Sequence, residues 1–192
     1  FTDAFGFERR LGASITYGRG DILLQAGVFT DNIEDTDSKN RGVDARIVFM
    51  PEAGDTQLHF GGSVHYNDLD DPAAEVRYRQ RPLVHFTSQR FINTGSMGAR
   101  SETGFGIEAA AIAGRFHAAA EGYWQTVDMP ALASDPTFFG GYAEAGVFLT
   151  DDSRGYKGGK FDRTKPQRPV GEGGFGSLQF TLRYDHLDLT DA

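Results

Sequence analysis

Thr103-Gly-Phe-Gly-Ile-Glu-Ala-Ala-Ala-Ile-Ala-Gly-Arg-Phe-His-Ala-Ala-Ala-Glu-Gly-Tyr-Trp-Gln-Thr126 is the stretch that decides the fold. Its alanines invite a helical reading. Gly104, Gly106, Gly114 and Gly122 oppose it, because a glycine inside a helix costs about 1 kcal/mol relative to alanine. A period of two fits better. Phe105, Ile107, Ala109 and Ala111 oppose Gly106, Glu108 and Ala110. After a tight reversal at Gly114, Phe116, Ala118, Ala120 and Trp124 oppose Arg115, His117, Glu121, Tyr123 and Gln125. Alternate side chains of a strand lie on opposite faces. The stretch therefore reads as a hairpin with one apolar and one polar face.

The same period recurs on both sides. From Arg9 to Tyr17, Leu11, Ala13, Ile15 and Tyr17 oppose Gly12, Ser14 and Thr16. From Ile22 to Thr30, Ile22, Leu24, Ala26 and Val28 oppose Gln25 and Gly27. From Gly42 to Met50, Val43, Ala45, Ile47 and Phe49 oppose Asp44 and Arg46. From Thr56 to Tyr66, Leu58, Phe60, Val64 and Tyr66 oppose Gln57, His59, Ser63 and His65. Downstream, Phe139, Ala143, Ala145, Val147 and Leu149 oppose Tyr142 and Glu144, although Phe148 spoils that polar face. The last strand, Gly174 to Leu189, sets Leu178, Phe180, Leu182 and Tyr184 against Ser177, Gln179, Thr181, Arg183 and Asp185. The pattern predicts eight strands, no helix and no repeat of fixed period.

Two features favour a transmembrane barrel over a sandwich. Aromatics gather near strand ends (Tyr17, Phe49, Tyr66, Phe105, Phe116, Trp124, Phe139), while mid-strand apolar positions are small or aliphatic, as in a barrel with girdles at both interfaces. Connections also alternate: 18–21, 51–55 and 113–115 are short, whereas 31–41, 67–102 and 127–137 are long. A sandwich would need two bulky inner faces packed together. No run reaches the roughly 18 apolar residues of a membrane helix, which leaves strands as the way across. The chain starts at Phe1-Thr2-Asp3 without an initiator methionine or signal peptide, and reads as a piece of a longer protein.

The 192 residues include 25 glycines, 16 phenylalanines and no cysteine, with a formal charge of −8. One domain is expected, residues 1–192, with 67–102 and 150–173 as inserted connections. The acidic total argues against nucleic acid as a partner, since a polyphosphate backbone calls for a basic surface. It leaves room for a small anion held by a local field. Without cysteine there is no disulfide or thiolate metal site.

Such a local field is written into Glu75-Val-Arg-Tyr-Arg-Gln-Arg-Pro82. In an extended chain Arg77, Arg79 and Arg81 share one face about 6.6 Å apart. Neighbours at that spacing repel by about 0.6 kcal/mol in water and about 2.5 kcal/mol at a dielectric near 20. The row gains from a visiting anion, and the guanidinium fork matches carboxylate and phosphate oxygens. The plain alternative is a solvated basic edge.

The segment Gly155-Tyr-Lys-Gly-Gly-Lys-Phe-Asp-Arg-Thr-Lys-Pro166, with Gly173-Gly-Phe-Gly-Ser-Leu-Gln179 and Leu182-Arg-Tyr-Asp-His-Leu-Asp-Leu189, resembles the phosphate-selective porins O and P. The likeness extends through Gly141–Thr150, Arg90–Gly95 and the arginine row, and so over most of the chain. It implies an all-β, antiparallel, sixteen-stranded porin barrel, present here as about eight strands lacking the first and last. It further implies a homotrimer when full length, in the outer membrane of a Gram-negative bacterium, among lipid and lipopolysaccharide. Its implied role is uptake of phosphate, polyphosphate or other small anions, with no cofactor. Arg77, Arg79 and Arg81 match the family's arginine ladder. Lys157, Lys160, Arg163 and Lys165 match its long inward turn, where lysines gather near the periplasmic end.

Other features weigh less. The acidic positions Asp31, Glu34, Asp35, Asp37, Asp68, Asp70 and Asp71 read as solvated outer loops, and Asp35-Thr-Asp37-Ser-Lys39 breaks the calcium-loop pattern at its fifth position. His59 and His65 share a face with no carboxylate at ligand spacing, so no metal is expected. No nucleophile or paired-acid motif supports an enzyme. The rival readings are a porin of this fold for other anions or small solutes, and a small closed structural barrel.

Overall fold

The computed structural model describes residues 2–6, 10–32, 39–69, 75–82 and 86–191, with only the backbone of 2, 3, 31 and 32. The expected acidic positions Glu34, Asp35, Asp37, Asp70 and Asp71 lie outside the described residues, as does the Asp31 side chain.

Eight long strands form one antiparallel sheet in chain order: β1 Arg10–Arg19, β2 Ile22–Asn32, β3 Arg41–Phe49, β4 Thr56–Asp68, β5 Ser101–Ala113, β6 Phe116–Asp128, β7 Thr137–Phe148 and β8 Gln179–Asp188. β1 and β8 do not pair with each other among the described residues, so the sheet is open, a section of barrel wall. The hairpin that decided the fold forms with Ala113 opposite Phe116 and Gly114 at φ +56°, a left-handed value natural to glycine. The last strand begins at Gln179, five residues later than expected, because Gly174–Leu178 still belong to the connection.

The register puts the two faces where alternation expects them. Ile15 (71%), Val28 (59%), Phe116 (62%) and Leu182 (71%) stand exposed on one face. An apolar surface of that extent calls for a nonaqueous neighbour. Tyr17, Phe49, Phe60, Phe116 and Phe180 mark its short-turn end. Tyr66, Phe105, Trp124 and Phe139 mark the other, with ring centroids 6.2 Å apart for Phe105–Trp124 and 5.0 Å for Trp124–Phe139. Alanine, glycine and aliphatic side chains fill the band between them, joined there by Tyr184.

The opposite face is covered at both ends. At the long-connection end, Leu69, Tyr78, Met97 and Ala99 pack with Phe5 onto Tyr123, Val127 and Phe138, the main apolar cluster among the described residues. Residues 75–76 pair with 97–98 and residues 79–80 with 92–93, so the expected loop 67–102 holds two short ladders. At the short-turn end the connection after β7 returns over the same face. Between them a trough of about 520 Å³ is lined from β1 to β6 by residues such as Ser14, Gln25, Asp44, Ser63, Glu108 and Tyr123, so the inner face is concave.

Candidate functional site

Strand parity sends Asp44, Glu102, Glu108, Glu121, Glu144 and Asp185 to the inner face, against Arg10, Arg46 and Arg183. Each of these wall arginines is already committed. Arg46 donates to the two Glu108 oxygens at 2.6 and 2.8 Å and to Gln25 at 3.1 Å. Arg10 pairs with Asp44, whose other oxygen meets His65 Nδ1 at 2.5 Å. Arg183 binds Glu144 at 3.1 Å and Asp185 at 2.8 Å, with its guanidinium 3.6 Å over the Tyr142 ring. The strands alone therefore offer an anion little positive charge.

The inserted connections differ. In 75–82 the backbone runs extended, and Arg77 and Arg79 are exposed while Tyr78 between them is buried. Arg77 Nε donates to Asn93 at 2.9 Å, and Arg81 is half-buried. Tyr78 points the other way, into the wall. Its hydroxyl donates to Glu102 and accepts from Gln125 at 3.2 Å. Burial first, and the Glu102 carboxylate second, push this phenol far above the usual tyrosine range, so it stays protonated.

The basic connection is tied down just as specifically. Asp152 closes its base, accepting from the Thr150 hydroxyl at 2.5 Å and the Gln167 N–H at 2.7 Å. These two donors hold the Asp152 carboxyl below its ordinary range. The tip is a tight turn in which the Lys157 N–H donates to the Lys160 carbonyl at 3.0 Å, with Gly158 and Gly159 at φ +59° and +72°. Arg46 donates to the Gly159 carbonyl at 2.8 Å. The Tyr156 hydroxyl lies 2.6 Å from His59 Nδ1, and His59 Nε2 lies 3.3 Å from Glu108. Burial raises the Tyr156 phenol above its usual range. Phe161 and His117 pack at right angles with ring centroids 6.1 Å apart, and Arg154 lies 5.1 Å over the Phe161 ring. The tip thus rests on the inner face, while Lys157, Lys160, Arg163 and Lys165 are exposed around it.

The arginine row and the basic turn lie on different connections, fastened at opposite ends of the inner face. Sequence reasoning did not single out Tyr78, Tyr156, Gly159 or Phe161. Tyr78 carried a signal, since it occupies the opposite phase of the arginine alternation. The other three reveal themselves only by what they touch.

A family model for phosphate-selective porin O and P matches residues 1–192. The chain is 49% identical over 203 residues to an uncharacterized protein of Caulobacter vibrioides, covering 100% of this chain and 41% of that protein. It is 30% identical over 204 residues to Porin O of Pseudomonas aeruginosa, covering 94% of this chain and 45% of the relative. The chain spans less than half the length of either. With the all-β antiparallel wall and its two inward connections, the match is decisive: the chain belongs to the phosphate-selective porin O and P family.

Proposed function

We propose that these residues form part of an outer-membrane channel, a homotrimer when full length, that passes phosphate, polyphosphate or related anions by diffusion. Arg77, Arg79 and Arg81 serve as stepwise anion contacts, and Lys157, Lys160, Arg163 and Lys165 as a positive region at the short-turn end. Family membership supports a channel rather than an enzyme. One observation carries the assignment of charge: the wall arginines are paired to carboxylates, whereas Arg77 and Arg79 are exposed on the side opposite buried Tyr78. Selection then works without chemistry. Guanidinium groups replace part of an anion's water, and several weak sites in series allow release.

The test is phosphate block of chloride current through the full-length channel in planar bilayers at low salt. A desolvated charge-assisted contact is worth about 1.5 to 3 kcal/mol, so alanine at one arginine raises the half-block concentration up to roughly a hundredfold. Lysine restores part, keeping charge but losing the fork. An unchanged half-block with alanine at all three positions refutes the reading. The inward carboxylates favour a second one, a porin of the same fold for other small solutes. It requires a reversal potential in a potassium chloride gradient with no anion preference.

A further inference from the structure

We propose that Tyr78 is a positioning residue for anion passage: its seat in the wall sets the phase and height of Arg77, Arg79 and Arg81. The inference rests on the arginine row serving anions, as proposed above. In extended backbone a slip of one residue moves every side chain to the other face. For 75–82 such a slip would turn the arginines onto the wall. Glu102, buried and carrying a carboxylate, would be a ready partner for one of them, and the row would lose that charge.

Tyr78 occupies this position instead. Its side chain is 1% exposed. Its hydroxyl binds Glu102 and Gln125, and its ring meets Phe5 at 5.4 Å and Phe138 at 5.3 Å, both edge-on. Its main chain exchanges bonds with Thr94, N–H to Oγ1 at 3.1 Å and carbonyl from Thr94 N–H at 3.0 Å. The seat is also held from the wall side. Asn67 donates to Glu102 at 3.0 Å, and the Tyr123 hydroxyl donates to Gln125 at 2.8 Å. Tyr123 has room to lie there because residue 104 is glycine; a Cβ at that position would fall on the Tyr123 hydroxyl. A tyrosine is suited to the seat, since its ring fills the apolar cluster while its end supplies the donor that Glu102 needs.

The experiment compares Y78F, Y78A and an alanine variant of the three arginines in the full-length channel. It reads phosphate half-block at low salt, chloride conductance at high salt, and heat-modifiable migration as the measure of folding. Y78F should raise the half-block concentration roughly three- to tenfold and Y78A further, with all three arginines present and high-salt conductance retained. E102Q keeps an acceptor for the phenol and removes the lure for arginine, so Y78A/E102Q should recover part of the loss of Y78A. Weakened block in the arginine variant with wild-type block in Y78F and Y78A overturns the positioning role and leaves the proposed function standing. Wild-type block in all three overturns both. A lowered yield of Y78F whose folded channels keep wild-type block also overturns it, as a role in folding alone. If Y78F does not fold, F138L loosens the same seat and faces the same expectation and refutation.

Discussion

Replacing Gly159 with alanine should release the basic turn from the inner face. Two effects add. At φ +72° a residue with a Cβ pays about 1 to 2 kcal/mol. The new Cβ would also lie 2.8 Å from Leu23 Cδ2, a contact real Cβ atoms avoid. Leu23 can yield only by leaving its rotamer, at about 0.5 to 1.5 kcal/mol. Together these give roughly 1.5 to 3.5 kcal/mol against the docked turn, or a ten- to several-hundredfold rise in its released population. Gly158 supplies the control. Its φ of +59° is comparable, but nothing lies within 4 Å of its Cβ position. Limited trypsinolysis of the detergent-solubilised full-length protein, followed by mass spectrometry, reads cleavage after Lys157, Lys160 and Arg163, the bond after Lys165 being protected by Pro166. Where the turn reopens and closes faster than it is cut, cleavage tracks the released population. Both variants should be cut faster than wild type, and G159A about two- to tenfold faster than G158A. Equal rates in the two variants would refute packing of Gly159 on Leu23, and a wild-type rate in G159A would refute docking of the turn altogether.

Asp152→Asn should loosen the base of that connection, seen as faster amide exchange over residues 150–167. The native pKa of Asp152 lies below its unfolded value of 3.8, so its stabilisation is complete above that value and lost as pH falls through the native one. Wild-type protection should therefore drop below about pH 4 after correction for intrinsic rates, and D152N should lack that step. Gly104→Ala should displace Tyr123 from Gln125, costing about 1 to 3 kcal/mol as an overpacked site, measured as a lower urea midpoint. Ala120→Arg, mid-strand on the apolar face, should cost about 2 to 4 kcal/mol in lipid vesicles if that face meets the bilayer; a cost near zero contradicts it.

The wall was legible because strand alternation is a local property. Phe105, Ile107 and Ala109 declare their face without knowledge of any partner, and pairing then follows from short turns such as Gly114–Arg115. The connections were legible as basic and unusually long, but not in their attachment. Gly159 resting on Leu23, or Tyr156 reaching His59 across 97 positions, joins residues far apart in the chain with no local pattern. Nor does alternation reveal that Arg46 faces Glu108 from two strands away. That pairing depends on Gly61 of the strand between, whose missing Cβ leaves room for the Glu108 side chain to cross.

The commitment of Arg10, Arg46 and Arg183 to neighbouring carboxylates has a consequence for engineering. The inner face of the strands carries more carboxylates than arginines, so on the proposed reading the wall contributes nothing to a preference for anions. If anions are selected as proposed, charge preference is portable, carried on residues 69–100 and 149–178. Grafting those two connections onto a related wall should transplant selectivity, whereas exchanging the strands beneath them should leave it nearly unaltered.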